Sequence, residues 1–177
     1  GPLTMLLKKK PIIPDIVTAG LETVAIRMPS HPVALHLIGR LRNPVAAPSA
    51  NPFGYMSPTK AAHVAKMFKD KSILILDGGD SLFGIESTII SITDGKVNLH
   101  RYGAITMEDL SEVAGIIEET KKGDIPSAPG ELPYHYAPHK PLKIVSSLEE
   151  IENPNASFLA FKKLKRRPKV KYAKTLS

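Results

Sequence analysis

Cysteine and tryptophan are absent from this chain of 177 residues, and aromatic residues make up only 6% of it. Without cysteine there is no disulfide framework, thiolate metal site or cysteine nucleophile, which fits a reducing compartment and makes the cytoplasm the default expectation. No apolar run approaches the roughly 20 residues needed to span a bilayer, so a membrane is not among the expected partners. The N-terminus has no basic-then-apolar signal pattern, and its opening Gly1-Pro2-Leu3-Thr4, with the first methionine at Met5, reads as internal. Gly78-Gly79 lacks the strand, glycine-rich turn, lysine and helix of a Walker-type loop, and no nucleophile elbow occurs. The six histidines have no carboxylate-supported ligand spacing, and Pro138 keeps His135 and His139 off a common helical face. The expectation is a protein that holds no metal of its own and works without covalent catalysis.

What is present is the composition of a globular protein, 42% hydrophobic and 23% charged. The net charge of +7 is local. Eight basic residues (Lys162, Lys163, Lys165, Arg166, Arg167, Lys169, Lys171 and Lys174) lie in a stretch without acids, which leaves residues 1–161 nearly neutral. Such a tract can hold a phosphate backbone by counterion release, and it fits a solvated tail equally well.

Short β-type runs alternate with helical patterns, which predicts an α/β (α+β) fold. Residues 22–28 alternate as a strand, 31–41 have helical spacing, and 44–48 read as a short buried strand. Ser57-Pro58 reads as an N-cap with proline at the first helical position, opening a helix to about Lys69. A strand is expected over 73–76, closed by the turn Asp77-Gly78-Gly79-Asp80. Strands over 84–92 and 96–101 should meet at Asp94-Gly95, a dipeptide favoured in tight hairpins. Thr106 and Asp109 approximate a capping box for a helix carrying Leu110, Val113, Ile116 and Ile117. Residues 121–141 have four prolines beyond Pro126 and no helical period, and read as an ordered linker. A new unit begins at 142–145 and stops before a core can form.

Several polar positions suggest a site. Thr23 and Arg27 fall on one strand face across small Ala25, a pairing of hydroxyl and guanidinium suited to a carboxylate or phosphate, or to a solvated face. Ala46-Ala47-Pro48-Ser49-Ala50-Asn51 lets a ligand approach the backbone, though it also reads as a plain turn. Ser57 marks a helix N-terminus. Ser87 lies in a strand where an apolar residue is expected, and Arg101 ends the next strand.

In order and phrasing these segments resemble one family, the YrdC-like threonylcarbamoyl-AMP synthases. The resemblance rests on Gly1-Pro2-Leu3-Thr4, Val17-Thr18-Ala19-Gly20-Leu21, Val24-Ala25-Ile26-Arg27-Met28-Pro29, Ala47-Pro48-Ser49-Ala50-Asn51 and Ser57-Pro58-Thr59. It continues through Asp77-Gly78-Gly79, Gly84-Ile85-Glu86-Ser87-Thr88 and Arg101-Tyr102-Gly103-Ala104-Ile105. Ala128-Pro129-Gly130 and His135-Tyr136-Ala137-Pro138 are similar to the linker of its two-domain members.

The resemblance implies a twisted mixed sheet with flanking helices around a concave cavity over residues 1–121. A linker over 122–142 would close on the active site, and 143–177 would begin a small Rossmann-like domain. It implies synthesis of L-threonylcarbamoyladenylate and pyrophosphate from L-threonine, bicarbonate and ATP with Mg2+, serving tRNA modification through a downstream tRNA threonylcarbamoyl-transferase. Carried over by motif, Arg27, Ala47 and Ser87 would hold L-threonine. Thr23, Ser49, Ser57, Arg101 and Tyr136 would contact ATP, with Asn51 as a helper. Relatives carry upstream strands with a Lys-x-Arg motif that this sequence lacks, so the chain alone is expected neither to fold fully nor to turn over. Two alternatives stand beside this reading: a non-catalytic module binding tRNA or double-stranded RNA, and a carbamoyl-transferring maturation domain.

Overall fold

The computed structural model describes residues 1–120, 140–166 and 168–176. Tyr136, Arg167 and most of the expected linker lie outside the described residues. The chain divides into two units, Gly1–Ala137 and Pro138–Ser177.

The first unit is built on a five-stranded mixed sheet in the order β2-β1-β3-β4-β5. β1 (Leu3–Lys8) alternates, with Thr4 and Leu6 buried and Met5 and Leu7 outward, as expected of a strand with one packed face. It runs antiparallel to β2 (Thr23–Ile26) and parallel to β3 (Thr88–Thr93), pairing Leu3 with Thr88 and Leu6 with Ser91. β3 and β4 (Lys96–Arg101) form an antiparallel hairpin with a bulge at Ile89/Ile90. Asp94 and Gly95 both take positive φ (52° and 74°), the geometry of the primed two-residue turns that follow the right-handed twist of paired strands. β5 (Ile117–Glu119) adds to β4 in parallel.

β3 is the centre of the core. Ile90 packs on one side with Val97, Leu99 and Leu110, against which Leu3, Ile105, Met107 and Ile117 lean, while Ile89 meets Leu6 in a second cluster. Leu110 comes from the helix Met107–Ala114, which starts at the expected capping box: the Thr106 hydroxyl accepts from the Asp109 amide, and the Asp109 carboxylate accepts from the Thr106 amide. The helix Pro32–Leu41 also starts where predicted. The His31 imidazole caps it by accepting from the Val33 amide, and a left-handed Arg42 ends it.

Four expectations need correction. Residues 44–48 form no strand and are exposed; Pro44 and Pro48 have no amide hydrogens to give a ladder. Residues 73–76 likewise carry apolar side chains but no strand pairing, and Leu74 is almost fully exposed. The helix expected from Ser57 instead spans Ala61–Met67 with Lys60 as N-cap, because the Ser57 hydroxyl is engaged elsewhere. Ile116 and Ile117 do not extend the last helix: Gly115 turns the chain at φ 73° and Ile117 opens β5. The strand predicted over 22–28 is real but shorter, and that over 84–92 begins only at Thr88.

In the second unit β6 (Ser157–Ala160) and β7 (Tyr172–Thr175) pair in parallel. A short 3-10 turn at Leu148–Glu150 precedes them, and Ala160 is the buried apolar side chain of this pair.

Candidate active site

Where β3 begins, three of the predicted residues meet around a carboxylate. The Arg101 guanidinium, at the end of β4, donates from Nη1 to Glu86 Oε2 at 2.6 Å. From Nε and Nη2 it also donates to the Ser87 carbonyl, at 3.1 and 2.9 Å, and Nη2 reaches Ser87 Oγ at 3.1 Å. Glu86 Oε1 accepts from Ser57 Oγ at 2.9 Å. Ser87 Oγ lies 2.7 Å from Thr4 Oγ1 on β1. The pair is largely withdrawn from water, with side-chain exposures of 15% for Arg101 and 19% for Glu86. A charged donor and acceptor shielded in this way bind more tightly than exposed partners would.

The backbone around this cluster is fixed from both sides. The Thr88 amide donates to the Pro2 carbonyl, and the Thr88 hydroxyl donates to the Ile105 carbonyl at 2.6 Å and accepts from its amide at 3.0 Å. Gly103 lies flat against residues 86–88. A Cβ there would stand 2.2 Å from the Thr88 amide nitrogen and 2.4 Å from the Ser87 carbonyl carbon, so only glycine fits. Next to Arg101, the Tyr102 hydroxyl donates to Glu119, a hydrogen bond that raises the phenol's pKa above its ordinary value.

Among the described residues, none of the other predicted residues is hydrogen-bonded to this cluster. Thr23 opens β2 and Arg27 lies one residue beyond its end; both are exposed, and among the described residues Arg27 makes no hydrogen bond or ion pair. Ala47 and Ser49 lie in the exposed irregular segment 44–50. The Asn51 amide nitrogen ties its own turn by donating to the carbonyls of Pro52 and Tyr55, at 2.9 and 3.0 Å. Its Oδ1 is buried and has no hydrogen-bond partner among the described residues. Tyr136 lies outside them.

Two further features frame the region. The His31 imidazole, whose Nδ1 accepts from Val33, has its Nε2 3.1 Å from the Gly78 carbonyl, which docks the Asp77–Asp80 turn onto the start of its helix. An ion pair from Lys60 to Asp80 at 2.5 Å holds the other end of that turn. A groove of about 430 Å3 runs along Pro32, Val33, His36, Leu37, Arg40 and Leu76, and none of the predicted ligand-binding residues lines it.

Sequence reasoning passed over Glu86 and Thr4 as members of the site. The signal for Glu86 was a carboxylate directly before Ser87, in a segment otherwise expected to pack. For Thr4 it was the alternation Leu3-Thr4-Met5-Leu6, which puts a hydroxyl on an inward position.

Chemically, the cluster is a hydrogen-bonded network of hydroxyls, a guanidinium and a carboxylate in which Glu86 balances the charge of Arg101. Among the described residues no group of three or more His, Cys, Asp and Glu could hold a metal ion, and no helix is long and apolar enough to cross a membrane.

Residues 1–103 match the family model described as "Telomere recombination", and residues 105–175 match that of "Threonylcarbamoyl-AMP synthase, C-terminal domain". Among curated proteins, threonylcarbamoyl-AMP synthase of Pyrococcus abyssi is 43% identical over 82% of this chain and 44% of its own length. That of Bacillus subtilis is 46% identical over 85% of this chain and 45% of its own length. The crystal structure of P. abyssi Sua5 complexed with L-threonine superposes with a TM-score of 0.74 at 39% identity, covering 90% of this chain and 44% of that one. The chain thus spans less than half the length of these relatives. With more than half of its residues matched by the first family model, and with a mixed sheet like that of its structural neighbour, the chain belongs to the Sua5, YciO and YrdC family.

Proposed function

We propose that the chain is part of a threonylcarbamoyl-AMP synthase. The threonine amine takes up bicarbonate to give a carbamate and water. A carbamate oxygen then attacks the α-phosphorus of Mg2+-bound ATP, and pyrophosphate leaves. No step needs a protein nucleophile; the protein lowers the barrier by orientation and charge stabilisation. The observation that carries this reading is the linked set Ser57, Glu86, Arg101 and Ser87, which brings residues proposed for ATP and threonine into one cluster.

In this reading Arg27 binds the threonine carboxylate through its planar fork, assisted by Ala47 and Ser87. Thr23, Ser49, Ser57, Arg101 and Tyr136 contact ATP, and Asn51 Oδ1, unpartnered among the described residues, is an acceptor for a ligand proton. Residues 1–121 contribute to the catalytic domain, 122–142 form the linker that closes over it, and 143–177 belong to a Rossmann-like second domain. The product passes to a tRNA threonylcarbamoyl-transferase in the cytoplasm. The match of residues 105–175 to a synthase C-terminal domain favours this reading over a carbamoyl-transferring maturation domain.

The test is pyrophosphate release that depends on L-threonine, measured in the full-length protein as its gene encodes it. Arg27→Ala should abolish L-threonine binding by calorimetry while leaving ATP binding in place, and D-threonine should not substitute. Unchanged threonine affinity in Arg27→Ala would overturn the site assignment.

A further inference from the structure

In the second unit a small pocket of about 220 Å3 opens beside the parallel strands β6 and β7. Phe158 and Ala173 contribute to its walls, and Lys163, Arg166, Lys174 and Thr175 are among the residues that line it. Lys174 and Thr175 are the last residues of β7, and Lys163 and Arg166 follow the end of β6. In open parallel sheets, ligands bind outside the carboxyl ends of the strands. The volume is below the range of about 300–1,000 Å3 that holds drug-sized ligands, so it suits a single compact group.

The pocket's cations, Lys163, Arg166 and Lys174, are exposed and form a local excess of positive charge. From Lys162 to Lys174 the sequence has no acid. Among the described residues, Glu149 pairs with Arg166 from outside the tract, both side chains being about two-thirds exposed. The guanidinium beside it, after a backbone hydrogen bond, holds the Glu149 carboxyl below its ordinary range. An exposed pair of this kind is weak and exchanges readily for a better acceptor. Lysines supply point charges, arginine a planar fork and threonine a hydroxyl, a combination that matches the several oxygens of a phosphate.

We propose that this pocket is a phosphate-binding site, with Lys163 and Thr175 on the phosphate oxygens, Lys174 adding positive charge at the end of β7, and Arg166 shared between the phosphate and Glu149. The proposal is independent of the catalytic reading, since it draws on residues of the second unit alone. The phosphate is either free, as inorganic phosphate or pyrophosphate, or part of an RNA backbone.

The experiment titrates the full-length protein with inorganic pyrophosphate, and separately with a duplex RNA. Binding is followed by calorimetry and by the backbone amide signals of Lys163, Lys174 and Thr175, which isolate this site from any other. A Lys163→Gln/Lys174→Gln variant should weaken binding at these signals by about tenfold or more, as loss of charge-assisted contacts requires. The charge-matched control Lys169→Gln/Lys171→Gln, outside the pocket, should change it by less than about threefold. Glu149→Gln should tighten binding by freeing Arg166. Saturable pyrophosphate binding with this pattern identifies a free anion; the same pattern with RNA alone identifies a backbone phosphate. Equal losses in the two lysine variants would show a diffuse basic surface and overturn the pocket, as would the absence of shifts at all three amides with both probes.

Discussion

Removing the Glu86 carboxylate tests the architecture of the candidate site directly. In Glu86→Ala, Ser57 loses the Glu86 acceptor, and Arg101 keeps the Ser87 carbonyl and hydroxyl but loses the Glu86 carboxylate while mostly shielded from water. Breaking a buried pair from one side costs about 3–5 kcal/mol. Residual access to water and the surviving Ser87 contacts bring the expected loss here to about 2–3 kcal/mol. Glu86→Gln should cost nearly as much, because its amide can still accept from Ser57 but turns donors or a neutral oxygen toward the guanidinium. Urea unfolding of the full-length protein, followed by far-UV circular dichroism and tyrosine fluorescence, reads this loss as a shift in midpoint at unchanged slope. A double-mutant cycle with Arg101→Met completes the test: once the guanidinium is gone the carboxylate should matter far less, giving a coupling of about 2 kcal/mol. Costs that simply add, or a Glu86→Ala loss within about 0.5 kcal/mol, the usual range for surface substitutions, would refute the claim that this pair organises the site.

Gly103→Ala should destabilise by about 3 kcal/mol or more, seen as a lowered thermal midpoint, because its methyl would collide with the fixed backbone of Ser87 and Thr88. The capping box makes a prediction in acid. Hydrogen bonds from the Thr106 backbone and hydroxyl hold the Asp109 carboxyl below its ordinary value of 3.8. Its contribution is therefore full above that value and lost as the pH falls through the lower, folded value. The thermal midpoint of Asp109→Asn should accordingly fall less than that of the parent between about pH 6 and pH 3, and parallel profiles would contradict this.

Signals contained within a few residues were legible in the sequence. Asp94-Gly95 specified its hairpin, Thr106 and Asp109 specified a helix start, and the His31–Leu41 pattern specified a helix. Signals that depend on distant partners were not. The apolar runs at 44–48 and 73–76 resemble strands, but a strand exists only where another offers its backbone. β1 escaped notice for the complementary reason, since its parallel partner β3 lies far along the chain. The site shows the same division. Ser57, Ser87 and Arg101 were each recognisable, yet Ser57 read as a helix cap because its bond to Glu86 spans 29 positions. Nothing local distinguished Glu86 from a polar residue on a solvated strand face.

The parallel ladder between β1 and β3 also constrains the order in which the first sheet can assemble. β1 pairs with β2, and β3 with β4, across short stretches of chain, whereas Leu3 must find Thr88 across almost the whole of the intervening sequence. Closing that long loop gives up more chain entropy than either local pairing before any contact compensates for it, so the ladder between β1 and β3 is the costliest of the three to close. Until it happens, Ile89 has no Leu6 to pack on, and an inner strand of the finished sheet stands as an open edge. During synthesis β1 emerges long before its partner, and for that interval its unpaired amides and carbonyls are open to a neighbouring chain.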